Sequence, residues 1–176
     1  MDILILFKNL FFENIIWQTI WLIAFIVWVI AFLHKKDKYL YMWLMIAQFF
    51  WIIHFFLMWL YVWAFVNIIW FIRSFIALKY KHIKEFIPIF ILIYIFIGFL
   101  SYNNIFDILP LLAWFFGTLA FLYFSWIKWR FVLLICSFLW LNYNIIWNSI
   151  WWIITEIFMI IAGLISIYRL IKYKKN

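Results

Sequence analysis

The sequence predicts an all-α membrane protein of seven transmembrane helices, laid out as two parallel three-helix repeats around one linker helix (3+1+3). Composition, the spacing of charges and an internal register carry that prediction. Of the 176 residues, 73% are apolar and 11% charged, against roughly half and a quarter in soluble globular chains. So few charges cannot clothe a soluble domain of this size, which makes lipid the solvent. At about 20 residues per crossing, seven crossings consume most of the chain and leave only short loops. The net charge of +8 does not point to nucleic acid, because the basic residues stand in short runs between apolar segments of membrane-spanning length.

Several chemistries are excluded at the same level. The single Cys136 cannot form an intrachain disulfide. Three glycines, Gly98, Gly117 and Gly163, make no phosphate-cradling loop, and neither HExxH nor paired-cysteine spacing occurs. No metal or cofactor is expected. Catalysis is not expected either, since Ser137 has no neighbouring base in sequence and Glu156 has only a hypothetical partner in His54. The start MDILILFKNLFFEN lacks a basic n-region and a cleavage site, so the first crossing is expected to be retained.

In chain order, residues 1–13 carry Phe7, Phe11 and Phe12 among Asp2, Lys8 and Glu13, which predicts a segment lying at the outer membrane surface. Crossings follow near 14–33, 39–58, 60–78, 86–102, 107–125, 131–147 and 150–168. The second and third have no charged loop between them, and neither do the sixth and seventh. Each of those stretches is too long for one helix across a hydrocarbon core of about 30 Å, so each is expected to fold as a hairpin. Every basic residue except Lys8 then falls at one end of the bundle: Lys35, Lys36 and Lys38; Arg73, Lys79, Lys81 and Lys84; Lys128 and Arg130; Arg169, Lys172, Lys174 and Lys175. Basic residues collect on cytoplasmic loops, which predicts an N-terminus outside, a C-terminus inside and a basic cytoplasmic tail at 169–176. Arg73, about one turn from that boundary, is expected to snorkel toward it. Asp107, three residues before Pro110, is expected to cap the fifth crossing at the positive end of its dipole.

A shift of 89 residues lays the first three crossings on the last three. Trp51 then meets Trp140, Trp63 meets Trp152, Gln48 meets Ser137, His54 meets Tyr143 and Asn67 meets Glu156. The organisation reads as a first repeat at 14–78, a linker helix and loops at 79–106, and a second repeat at 107–168. An odd linker crossing restores direction, so the two halves run the same way.

At about 1.5 Å per residue, Gln18, His54, Asn67, Asn142, Asn144, Thr155 and Glu156 fall in the outer half of the membrane. Gln48, Thr118 and Ser137 fall near its midplane. Such clustering is expected of an outward-facing polar cavity, and an intramembrane ionisable group is a functional candidate by default. Glu156 leads that list, followed by Asn67, His54, Gln48, Ser137 and Asn142 as candidate substrate-binding residues. The competing reading for each is interhelical hydrogen bonding alone, with Glu156 neutral and His54 interfacial.

The segments QFFWIIHFF with Asn67 and Arg73, DILPLLAWFFGTLAF, SFLWLNYNIIWNSIWWIITE and the tail from Tyr168-Arg169 together resemble the YgjV-type bacterial inner-membrane proteins over essentially the whole chain. More distantly, Trp140, Tyr143 and Glu156 resemble the second and third helices of SWEET and PQ-loop transporters. That likeness implies an inner-membrane protein whose relatives of the same triple-helix plan carry sugars or other small solutes, with Pro110 as a hinge. It names no substrate. A small-solute transporter working by alternating access between the two three-helix units is therefore the expected function, and a non-transporting scaffold or partner subunit the alternative. The bilayer and a small polar solute are the expected partners, with homo-oligomer formation left open.

One feature departs from the family pattern. Fifteen tryptophans stand against three glycines, although helix contacts in membranes favour small residues. Trp21, Trp59, Trp63 and Trp152 stand where glycine or another small residue is expected. Either these codons are read as glycine in the source organism, or the chain is enriched in aromatic residues that face lipid.

Overall fold

Within lipid every backbone N–H and C=O must find a partner inside its own segment, and a helix provides one. The computed structural model describes residues 15–80 and 84–175, with side chains through Tyr173. The expected surface segment at 1–13, Lys81 and the side chains of Lys174 and Lys175 lie outside the described residues. Among those described, seven helices are long and apolar enough to cross a membrane, and no strand occurs. They are α1 (Ile15–Leu33), α2 (Asp37–Leu57), α3 (Tyr61–Lys79), α4 (Ile87–Ser101), α5 (Ile108–Leu122), α6 (Trp126–Ile146) and α7 (Ile150–Lys175).

Both expected hairpins form, and each turns on the same three-residue motif. After α2, the Trp59 amide donates to Phe56 O (3.1 Å) and the Leu60 amide to Phe55 O (2.9 Å). After α6, the Asn148 amide donates to Ile145 O (3.1 Å) and the Ser149 amide to Asn144 O (2.9 Å). These are the paired bonds of a Schellman ending, whose pivot residue adopts the left-handed conformation. The pivots are Trp59 (φ 59°) and Asn148 (φ 51°). Asparagine visits that region readily, whereas a bulky side chain rarely does.

The helix ends repeat at one interval. Asp37, the first residue of α2, accepts a bond from the amide of Trp126, the first residue of α6, 89 positions later. Leu57 and Ile146 end those helices at the same interval, and Tyr61 and Ile150 begin α3 and α7. Neighbour relations follow suit. Helix α2 packs between α1 and α3, and α6 packs between α5 and α7. Across the bundle α1 meets α7 and α3 meets α5, while α4 rests mainly on α5. At the α4–α5 contact a Cβ on Gly98 would collide with the Leu111 side chain, so glycine sets the approach there. The far side of α4 presents Leu92, Phe96 and Phe99 outward, Phe99 being 81% exposed.

Asp107 does not cap α5 directly, since its side chain bonds no amide of that helix; it closes a capping box on the 3-10 turn that precedes it. Its Oδ2 accepts from the amides of Asn103 (2.8 Å) and Asn104 (2.9 Å), while Asn104 Oδ1 accepts from Phe106, a reciprocal capping box ahead of α5. Two boundaries differ from the sequence reading. Helix α6 begins at Trp126, so Arg130 lies within the helix and is fully buried rather than in a loop. Helix α7 continues through Arg169 and Lys172 to Lys175, so the basic tail is helical.

The tryptophans in question are not a lipid-facing shell. Trp21 is buried against Trp51 and Trp151, with ring centroids at 6.4 and 5.4 Å. Trp63 and Trp152 are half-buried in the interior. Only Trp59 points outward, at 76% exposure. Trp126, which the sequence did not single out, shares the left-handed backbone (φ 56°).

Candidate functional site

A cavity of about 360 Å³ opens inside the bundle, walled by α1, α2, α3, α5, α6 and α7. Four of the six candidate residues line it: Gln48, Asn67, Ser137 and Glu156. It extends to Leu60, Trp147 and Ser149 at the two hairpin turns. There it adjoins a second cavity of about 510 Å³ that shares Leu60, Trp63, Trp114, Tyr143 and Trp147 and reaches Asp107 and Pro110.

Helix phase decides which polar groups face inward. Gln48 is buried on α2, and its Oε1 accepts from Ser74 Oγ of α3 (3.1 Å). Asn67 is buried on α3 and donates Nδ2 to Trp63 O one turn back (2.8 Å). Glu156 is 3% exposed, with Ser137 of α6 as its side-chain hydrogen-bond partner and no protein partner for Oε2. Asn144, weighed in the sequence only for its depth, also lines the cavity and is buried.

Two candidates fall elsewhere. His54 is buried, but its Nδ1 donates to Trp17 O of α1 (2.9 Å) and its ring packs edge-on to Trp17, Trp51 and Phe55. A carbonyl only accepts, so Nδ1 carries the proton, and His54 ties α2 to α1. Asn142 is exposed on the outer face of α6 and bonds Phe138 O (2.7 Å) within its own helix.

Arg73 does not snorkel. It is 5% exposed and lines the cavity. Side chains tilt toward the N-terminus of their helix, and the N-terminus of α3 is the hairpin end, so Arg73 leans away from the basic boundary. Its guanidinium lies over the Phe121 ring (4.2 Å) and donates Nη1 to Thr118 Oγ1 (3.4 Å). The Tyr94 hydroxyl of α4 lies beside it. Gly117 makes this reach across α5 feasible, because a Cβ there would stand 3.3 Å from Nη1. Cys136 lines the same cavity, within electrostatic reach of both Arg73 and Glu156. It is buried and donates Sγ–H to Ala113 O (3.3 Å).

At the basic end of the bundle the helices are tied together. Arg130 of α6 donates to Phe32 O (3.3 Å), His34 O (2.7 Å) and Ser166 Oγ, and it stands 4.0 Å from Asp37 Oδ1. Arg169 of α7 donates to Leu33 O (3.1 Å). Three carbonyls at the C-terminal end of α1, the negative end of its dipole, thus receive guanidinium groups from α6 and α7. Lys35 over the Tyr173 ring (4.6 Å) and Lys84 over the Tyr123 ring (4.7 Å) place the remaining basic segments at the same end.

A family profile described as a bacterial inner membrane protein, Imp-YgjV, matches residues 15–174. The chain belongs to the Imp-YgjV family. The bilayer that the composition demands is therefore the bacterial inner membrane, crossed by seven helices. No curated protein and no solved structure matches the chain. For this Imp-YgjV protein the chemistry of the site has to be argued from its own side chains.

Proposed function

We propose that the protein carries a small solute across the inner membrane by alternating access between two three-helix units, α1–α3 and α5–α7, joined by the linker α4. One observation carries this reading. The cavity holding Gln48, Asn67, Arg73, Ser137 and Glu156 lies among helices of both units and extends to the hairpin turns, while the Arg130–Asp37 tie stands at the basic end. That distribution supports a form entered from the hairpin end and latched at the other. The common interval of the helix ends and the exchange of neighbours, α1 on α7 and α3 on α5, support two equivalent units related by an axis along the membrane normal and rocking against each other. By the charge bias the latched end is cytoplasmic.

Asp37 and Arg130 stand in different units, so opening the latched end separates them and leaves the α1 carbonyls to water. A closure of this composition is reversible, because cytoplasmic water can take over each of its hydrogen bonds. The expected result is uptake of at least one member of a panel of labelled small solutes into proteoliposomes, above protein-free liposomes and reduced by Glu156→Gln. A panel in which nothing passes, with the protein folded and oriented, favours a scaffold in which the polar residues only hold helices together.

A further inference from the structure

A carboxyl group and a guanidinium line one apolar cavity without forming an ion pair. Arg73 and Glu156 are 5% and 3% exposed, both line the same space, and each has an atom with no protein partner, Nε and Oε2. Among the described residues the one carboxylate–guanidinium ion pair is Arg130–Asp37, at the far end of the bundle. The partners of Arg73 and Glu156 are neutral: hydroxyls of Thr118, Tyr94 and Ser137, and aromatic rings. Either group is costly to bury in its charged form with only neutral partners, and a structure that retains both in one cavity leaves a role for a ligand carrying the complementary charges.

The geometry sets the order of those charges. Arg73 lies twelve residues into α3 and Glu156 six residues into α7, so their Cα atoms differ in depth by about 9 Å at 1.5 Å per residue. Both side chains tilt toward the hairpin end, and the longer arginine recovers part of that offset. An offset in depth lets a small zwitterion take one charge-assisted contact, about 2.8 Å long, from each group. Beside the charges the wall is aromatic, formed by Trp51, Trp114 and Trp140, and indole faces attract ammonium groups as well as apolar side chains.

From this arrangement we infer that the cavity is a binding site for a zwitterionic α-amino acid, its carboxylate on Arg73, its ammonium on Glu156 and its side chain against the tryptophan wall. The inference rests on reading the cavity as a solute site, and it names the class of solute. Gly117 is part of the site, because the absent Cβ leaves room for the guanidinium.

The test is calorimetric binding to the purified full-length protein in nanodiscs, using the twenty standard amino acids and glucose. The best-binding amino acid is then compared with its deaminated acid and its decarboxylated amine. The amino acid is expected to bind at least tenfold more tightly than either analogue. Arg73→Gln should abolish the advantage over the amine, and Glu156→Gln the advantage over the acid. If Arg73→Gln does not fold, Arg73→Lys keeps the charge, loses the fork geometry, and should weaken the amino acid several-fold while sparing the amine. Analogues that bind as tightly as the amino acid, variants that weaken every ligand equally, or no amino-acid binding by a cooperatively melting protein would each overturn the inference. Glucose transport without amino-acid binding overturns this ligand class and leaves the transport reading standing. Charge-selective amino-acid binding without flux upholds the site and overturns transport.

Discussion

Arg130 of α6 stands 4.0 Å from Asp37 of α2, and the Asp37 carboxylate also receives the Trp126 amide that opens α6 (3.2 Å). The pair itself is not hydrogen-bonded; Arg130 is held by its bonds to Phe32 O, His34 O and Ser166 Oγ, and leaving such buried acceptors unsatisfied costs about 1–3 kcal/mol each. Arg130→Met is therefore expected to destabilise the fold by that order, read as cooperative unfolding in mixed micelles. Asp37→Asn keeps an acceptor for Trp126 and leaves the carbonyl bonds of Arg130 intact, so its cost should stay near 1 kcal/mol. Equal costs for the two variants would show that the carboxylate, rather than the α1 carbonyls, holds Arg130.

Trp59 and Asn148 pivot equivalent turns in the left-handed region. For an L-residue that conformation costs about 1–2 kcal/mol, and glycine escapes it. Because the Trp59 side chain is 76% exposed, little packing offsets the strain. Trp59→Gly should raise the melting temperature, whereas Trp59→Ala, which keeps a Cβ, should gain much less. A Trp59→Gly protein that melts no higher than Trp59→Ala contradicts the strain. Mass spectrometry of the peptide spanning this position, from the source organism, decides whether tryptophan or glycine stands there.

Gly117 and Gly163 make a controlled pair. A Cβ on Gly117 would stand 3.3 Å from Arg73 Nη1, while one on Gly163 would meet Leu134 Cδ1 at an ordinary 3.4 Å. Gly117→Ala should lower solute affinity several-fold with a stability change within about 1 kcal/mol. Gly163→Ala should leave affinity unchanged. Equal affinities in the two variants would place the solute away from Arg73.

His54 and Asn142 should dispense with transport roles. His54→Ala removes the bond to Trp17 O, expected to cost about 1–2 kcal/mol of stability while leaving solute preference as it was. Asn142→Leu should leave uptake unchanged, since that side chain is exposed on α6 and bonded within its own helix. An altered preference in either variant would mean that the cavity extends to these helix faces in another conformation.

Composition and loop charge were enough to read seven crossings, because lipid admits few alternatives for a chain this apolar. Asp107 was legible as a residue of the α5 start, but its carboxylate closes the turn before the helix and not the helix itself. That Glu156 and Asn67 share one cavity followed from their positions along α7 and α3. Helix phase was not legible. In a segment apolar on all sides no polar face marks the interior, so Asn142 and Asn144, two positions apart, could not be told apart although one faces out and the other in. Arg73 was misread because distance from the boundary was weighed without the direction of the side chain. Arg130 was hidden by its neighbours, since Lys128 and Arg130 look alike as loop charges until α6 is seen to begin at Trp126.

The central claim is that the cavity alternates between the two faces of the membrane. Ser137→Cys in a Cys136→Ala background puts one thiol on the cavity wall, and a membrane-impermeant thiol reagent then reports access from each side of oriented vesicles. With Asp37 intact the thiol should label from the hairpin face and hardly at all from the basic face. Asp37→Asn should raise labelling from the basic face several-fold and lower it from the hairpin face. Labelling from neither face, or an unchanged one-sided pattern in the Asp37→Asn protein, would contradict alternating access.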